Sequence, residues 1–540
     1  MKKIFLFTSA LLASATMMAQ LVGWSAVELS NETAAGTSTI NHLYTNEQGD
    51  IFFLGNSASN GQKPTISFDG ITLDAAPYRV NMSQTNTNIV FGKLSGKDAS
   101  TQWFGASDRG AFTSYVATPT ADGKLLMALT AYHTDSNHLA DNQVMGFNLQ
   151  MADGTTASGG IEEEYAPLIG TKVLPVRFGC IVEVSDNGFK FLKNFYQLKG
   201  QNAGFTFVDM ATDGTNVYVL AQLAPGVVIG EDTIKANVEK GSLAILKFDN
   251  KWNLTGTIIS EGLASKTTGL LKYADGKLYY AGNLATTKGS SFSWGGKTVE
   301  AANTGNSMVW ATLSTDLQCE LLALVDACKL EGKGGNITVY DEVISGTNAY
   351  LTGFQSGSII LSETDTLKGS ATNSAFLLSM DLTTGKAVKA TRLNATAITS
   401  GSSLFMHNDS VYMYAYNWAE KDGRVALYTY DAQLNAGDTI ALVNAAGQET
   451  TNSAVLTKYG TLAYSFRTKG NATFSADVTQ TYAGDNAFRG VLAVQQLFEN
   501  PEQAVDNVFA PMQKAEKFIR NGQLYIRRGE HIFNALGQQL

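Results

Sequence analysis

The stretch AYHTDSNHLADN places His133 and His138 five residues apart, with Asp135 and Asp141 beside them. Imidazole and carboxylate are ligands a metal ion takes, but a zinc centre needs three or four of them at fixed geometry. His133, Asp135 and His138 are therefore weak metal candidates. A spacing of five on a loop fixes no geometry, and the Asp/Asn pattern lacks the spacing and terminal glutamate of a calcium loop. IEEEYAP then carries Glu162, Glu163 and Glu164. Glycoside hydrolysis takes two carboxylates held across the scissile bond at a set separation, whereas consecutive side chains of a loop point apart. No GxSxG elbow occurs, no cysteine has a histidine near it in sequence, and GKGGN lacks the lysine and spacing of a phosphate loop. No catalytic residue and no cofactor is indicated. Trp294, Tyr416 and Trp418 remain as binding candidates. On an exposed rim they would stack on sugar rings; between sheets they would be core.

Such residues must be positioned by strands, because one phrase recurs along the chain. A turn written DG, GT or ND is followed by alternating apolar residues: GDIFFLGN, DGKLLMAL, GTNVYVLA, DGKLYYAG, GTNAYLTG, NDSVYMYA and YGTLAYSF. The seven copies are spaced about 50 to 90 residues apart, several near 60, too long for a WD-type blade and too regular for chance. Most are preceded by a short apolar strand such as FTFVDMA. Each is followed by an alternating one such as SLAILKFD, a polar turn and in most units a fourth strand. Four antiparallel strands repeated seven times predict an all-β, seven-bladed β-propeller over residues 20–500. The seventh unit runs into FENPEQAVDN without a fourth strand, while LVGWSAVEL stands before the first unit with no unit of its own. The N-terminal strand is therefore expected to complete the last blade and protect its edges.

This pattern resembles the bacterial seven-bladed propeller repeats called SBBP repeats. The resemblance specifies fold rather than chemistry. Units one, three, four and five carry a small hairpin between their second and third strands, as TISFDGITL, VVIGEDTI, FSWGGKTV and IILSETDTL. Unit two has a longer insert and unit six only NWAEKDGR. These hairpins are expected to build up one rim.

Composition agrees with exported, turn-rich structure. The 540 residues include 52 Gly and 8 Pro, with a net charge of −9, and no basic stripe that nucleic acid would need. MKKIFLFTSALLASATMMAQ reads as a secretory signal peptide over residues 1–19, its apolar run being too short to span a bilayer. No later run is long enough for a transmembrane helix. The three cysteines are expected as free thiols, because CELLALVDAC reads mostly as one strand and would hold Cys319 and Cys328 far apart. After a linker at 501–516, residues 517–540 predict a hairpin of QLYIRR and EHIFNAL. This tail resembles the short C-terminal tails of exported Bacteroidales proteins, related to type IX sorting domains. That implies sorting or docking to secretion or envelope machinery, with packing against the propeller the alternative. The same resemblance implies Asp-Ser/Thr-apolar glycosylation acceptors, as at Asp232-Thr233-Ile234 and Asp365-Thr366-Leu367.

The expected function is a protein- or glycan-binding scaffold in the periplasm, on the cell surface or secreted, acting through the hairpin-lined face. The alternatives are a carbohydrate-active hydrolase or lyase with carboxylates converging on the channel, and a purely structural surface protein. Ionisable residues clustered at the axis would favour the enzyme, and an apolar or hydroxyl-lined channel the binder.

Overall fold

The structure, a computed structural model, describes residues 20–500 apart from loop segments, the longest at 75–85, 134–145, 161–167, 198–204 and 235–241. It also describes three strands between 516 and 534. Every regular element among the described residues is a strand. The turn of each recurring phrase holds a left-handed residue: Gly49, Gly123, Gly214, Gly276, Gly346, Asn408 with Asp409, and Gly460 all have positive φ. Glycine and Asn/Asp tolerate that conformation at low cost, which is why the phrase opens on DG, GT or ND.

Each phrase becomes the second strand of an antiparallel meander. The innermost strands are Thr37–Thr45, Phe112–Pro119, Phe205–Thr212, Gly269–Ala274, Gly335–Ser345, Thr399–His407 and Thr450–Leu456. Alternate faces of each meander pack on the neighbours before and after it. Phe52, Phe91 and Trp103 of unit one share a core with Met127, Phe147 and Phe178 of unit two. A single four-stranded sheet has no such second layer, so the units are stable only as an array.

The last meander closes as expected. Gln20–Ser30 pairs antiparallel with Phe488–Gln496, from Gln20↔Gln496 to Val27↔Gly490. Arg489 buckles this junction. It is 3% exposed, donates to the Gly36 carbonyl at 2.7 Å and to Asp485 at 3.0 Å, and lies 3.4 Å from Glu28.

Four expectations need correction. Counted as continuous sheets of four or more strands, the propeller has six blades rather than seven. A parallel bridge, Gly305↔Gly335 and Asn306↔Asn336, fuses the meanders of units four and five into one eight-stranded sheet. Glycine permits the approach, since a Cβ on Gly335 would sit 2.5 Å from the Cys328 nitrogen. Second, the hairpins do more than line a rim. Each pairs with the outer edge of the preceding unit. Thr65–Phe68 joins Gln20–Ser30, Val227–Ile229 joins Gly188–Gln197, Ser291–Trp294 joins Glu261–Gly262 and Ser358–Ile360 joins Ala327–Cys328. Strand edges with unpaired N–H and C=O groups are thereby covered.

The strand expected across CELLALVDAC is interrupted at Asp326, into Cys319–Val325 and Ala327–Cys328. Cys180, Cys319 and Cys328 are free thiols. In the tail, Glu516–Arg520, Gln523–Arg528 and His531–Asn534 form a three-stranded antiparallel sheet where two strands were expected. No helix among the described residues is long and apolar enough to cross a membrane.

Candidate functional site

The innermost strands surround a channel enclosing about 1070 Å³. Six of them carry a β-bulge: between Ile40 and His42, Phe112 and Ser114, Phe207 and Asp209, Val339 and Asp341, Gly401 and Ser403, and Thr451 and Ser453. A bulge leaves one extra residue unpaired and re-aims the side chains around it.

These side chains stitch each unit to the next. Ser114 Oγ accepts the Phe207 N–H at 3.2 Å and Asp209 Oδ2 accepts that of Leu271 at 2.7 Å. Lys272 Nζ lies 3.0 Å from Asp341 Oδ1, and Asp341 Oδ2 accepts the Leu404 N–H at 2.8 Å. Ser403 accepts from Ala454 at 2.9 Å, Ser453 from Leu43 at 3.1 Å, and the Tyr44 hydroxyl from Ala117 at 3.2 Å. The ring is continuous through all seven junctions. Each side chain satisfies a backbone donor that the bulged edge leaves open, except between units four and five, where an ion pair does the joining.

The channel wall is therefore two-sided. Units six, seven and one present hydroxyls and amides: Thr399, Ser400, Ser402, Thr450, Asn452 and Asn41. Units three to five present Asp209, Lys272, Asp341 and Glu342. Burial raises the Asp209 carboxyl to about 6, against the N–H groups of Leu271 and Met210 that favour its charged form. The Asp341 carboxylate, more than the opposing effect of burial, holds the Lys272 ammonium above its ordinary value. Glu342 is 3% exposed. Its Oε1 accepts the Trp310 indole N–H at 2.7 Å, its Oε2 has no partner among the described residues, and burial raises its carboxyl to about 7. His42, stacked on Tyr44, is lowered to about 4 by burial and by Lys272.

Of the binding candidates, Tyr416 lines the channel and packs against Trp418 at 5.9 Å between ring centroids; Trp418 is 39% exposed. Trp294 is not on an exposed rim. It is 1% exposed and wedged against Tyr280 and Phe292, because its hairpin is latched onto the neighbouring unit. Among the metal candidates, His133 ends a strand paired to Val176, while Asp135 and His138, like Glu162, Glu163 and Glu164, lie outside the described residues. Among the described residues no group of three or more potential ligands comes together. The channel residues Asp209, Lys272, Asp341, Glu342 and Tyr340 were not singled out from sequence, since they precede the recurring phrase in strands with little common pattern.

Fold and channel define a β-propeller. No described protein family matches the sequence, and no curated protein matches it. Solved structures that superpose on it include an acylaminoacyl peptidase from Pyrococcus horikoshii (9% identity, TM-score 0.37, 91% of this chain and 57% of that one). Two others are the propeller domain of the Trilobed protease from Pyrococcus furiosus (10%, 0.34, 88% and 99%) and the Dos1 propeller (8%, 0.37, 89% and 97%). This chain thus spans less than three fifths of the peptidase.

Proposed function

We propose that the protein is an exported binding module, built from seven SBBP-like repeat units, that takes its ligand at the mouth of the central channel. The mouth meant is the end from which the loops between second and third strands depart. The observation that carries this reading is the commitment of the channel carboxylates to structure. Asp209 receives backbone N–H groups on both oxygens, from Leu271 and Met210. Asp341 receives those of Leu404 and Glu342 and the ammonium of Lys272. At equivalent places in the ring units two, six and seven use Ser, so these carboxylates occupy an acceptor position of the fold. A hydrolase needs carboxylates free to exchange protons with substrate. Residues 1–19 act in this reading as the export signal, and the tail after the linker as a sorting or docking element.

The ionisable residues Asp209, Lys272, Asp341 and Glu342 on the channel wall favour the hydrolase or lyase reading, and among them Glu342, raised to about 7, has the proton affinity of a general acid. It lies almost wholly behind the channel surface, which argues against contact with substrate. Purified protein spanning 20–540 is to be applied to glycan and peptide arrays while reducing ends released from the same polysaccharides are measured. Binding without product is expected. Product formation lost in Glu342→Gln would replace this reading with the enzyme.

A further inference from the structure

The aromatic residues at the channel mouth break the repeat. Aligned by their pairing with the third strand, the seven phrases place Asn56, Thr130, Gln222, Asn283, Phe354, Tyr416 and Arg467 at one level. Five are polar, and several are occupied in joining units or packing. Asn56 donates to the Tyr115 hydroxyl at 2.6 Å, Asn283 bonds the Ile337 carbonyl, and the Arg467 guanidinium lies 4.0 Å over the Phe488 ring. Only the adjacent units five and six place aromatic rings there. The bulge residue behaves likewise: it is Asn41, Thr113, Val208, Ser402 or Asn452 elsewhere, but Tyr340 in unit five. Tyr340 is 46% exposed and sits 5.8 Å from Phe354; Tyr416 lines the same mouth. Folding does not require these rings, since the other units close without them.

We propose that Tyr340, Phe354, Tyr416 and Trp418 form a stacking ledge for an uncharged pyranose chain; this rests on the binding-module reading above. The C–H face of a hexose lies flat on an aromatic ring, while its hydroxyl edge needs amide and hydroxyl partners. Asn373 and Ser400 line the channel beside these rings and supply them. Around the same channel Asp341 and Glu342, next to Tyr340 on its own strand, and Asp209 on unit three stand against one ammonium, Lys272, and the whole chain carries −9. Such a field repels uronates, sulfated sugars and nucleic acid. An apolar peptide is the competing occupant, but it would leave the hydroxyl wall without exchange partners.

The test is calorimetric titration of the purified 20–540 protein with neutral gluco-, manno- and galacto-oligosaccharides, oligouronates and apolar peptides. Tyr340→Ala, Tyr416→Ala, Tyr416→Phe and, as a control, Val478→Ala in the exposed turn between the paired strands Ala472–Phe474 and Thr481–Tyr482 of unit seven are run alongside. Neutral oligosaccharide binding is expected to weaken about tenfold in either alanine variant and to persist in Tyr416→Phe and Val478→Ala, with oligouronates not bound. Thermal melts confirm that the variants fold. Absence of oligosaccharide binding, binding only of uronates or peptides, or binding untouched by both alanine variants overturns the ledge. Release of reducing ends, with KM raised in the alanine variants, supports the ledge and overturns the binding-module reading, so the two fail separately.

Discussion

At the scale of single residues, the ring around the channel separates a structural carboxylate from a reactive one. Asp209 holds the Leu271 N–H with Oδ2, as Ser114 and Ser403 hold the equivalent donors at other junctions. Asp209→Ser is therefore expected to be nearly neutral, while Asp209→Ala leaves a backbone donor without its partner and costs about 1–3 kcal/mol in denaturant unfolding. Equal losses in both variants would show that the charge matters rather than the acceptor. Glu342 gives a second prediction. Burial raises its carboxyl to about 7 and that of Asp209 to about 6, so between roughly pH 4 and 7 the folded protein keeps protons that the unfolded chain has released. Their contribution to stability is full at low pH and is lost as pH rises through 6 to 7. His42, lowered to about 4, opposes this, since its contribution is lost as pH falls from about 6.5 toward 4. Lys272 and Asp341 face the same cluster, and Lys272, held above its ordinary value chiefly by Asp341, stays charged through this window. Glu342→Gln removes one of the two falling contributions. The variant should gain on the parent by roughly 1–3 kcal/mol between pH 5 and pH 8, and a stability gap that does not change with pH would refute it. Little of this was legible in the sequence. Asp209, Lys272 and the Asp341–Glu342 pair stand on three separate strands, and only the bulges and ring closure bring them together. Trp294 misled because an aromatic in a hairpin looks the same whether the hairpin is free or latched.

At the scale of elements, the phrase turns and strands were legible because local chemistry sets them: left-handed Gly or Asn/Asp at the turn, alternation in the strand. What each hairpin pairs with was not, since an outer edge offers the same backbone groups in every unit. The bridge between units four and five is a further case, resting on two glycines that looked like ordinary loop residues. A Cβ at Gly335 would collide with backbone atoms of Ala327 and Cys328, where no side chain can swing aside. Gly335→Ala is expected to cost about 1–3 kcal/mol through overpacking and backbone shift and to raise amide exchange at Asn306 and Asn336. Exchange there unchanged from the parent would mean that the bridge does not hold the two meanders together.

At the scale of the whole molecule, closure was the most legible feature, because a seventh unit short of one strand and a first unit with one to spare answer each other. In the structure that strand supplies the outer edge of the last meander and receives the hairpin of unit one. A ring whose neighbours share cores gains from its final junction more than an open array does, since each unit then has two partners. Removing residues 1–30 strips Phe488–Gln496 of its outer partner, leaving it paired on one side with Thr461–Lys469, and leaves Arg489, 3% exposed in the intact chain, without Glu28. The truncated chain is expected to melt at lower temperature and in more than one step, because units next to the gap lose a neighbour while the far side keeps both. A synthetic peptide of residues 20–30 added in trans should restore a single transition, with a midpoint that rises with peptide concentration as binding to the folded state requires. If truncation leaves the melting curve unchanged, the N-terminal strand is an ornament on a ring that the other units already close.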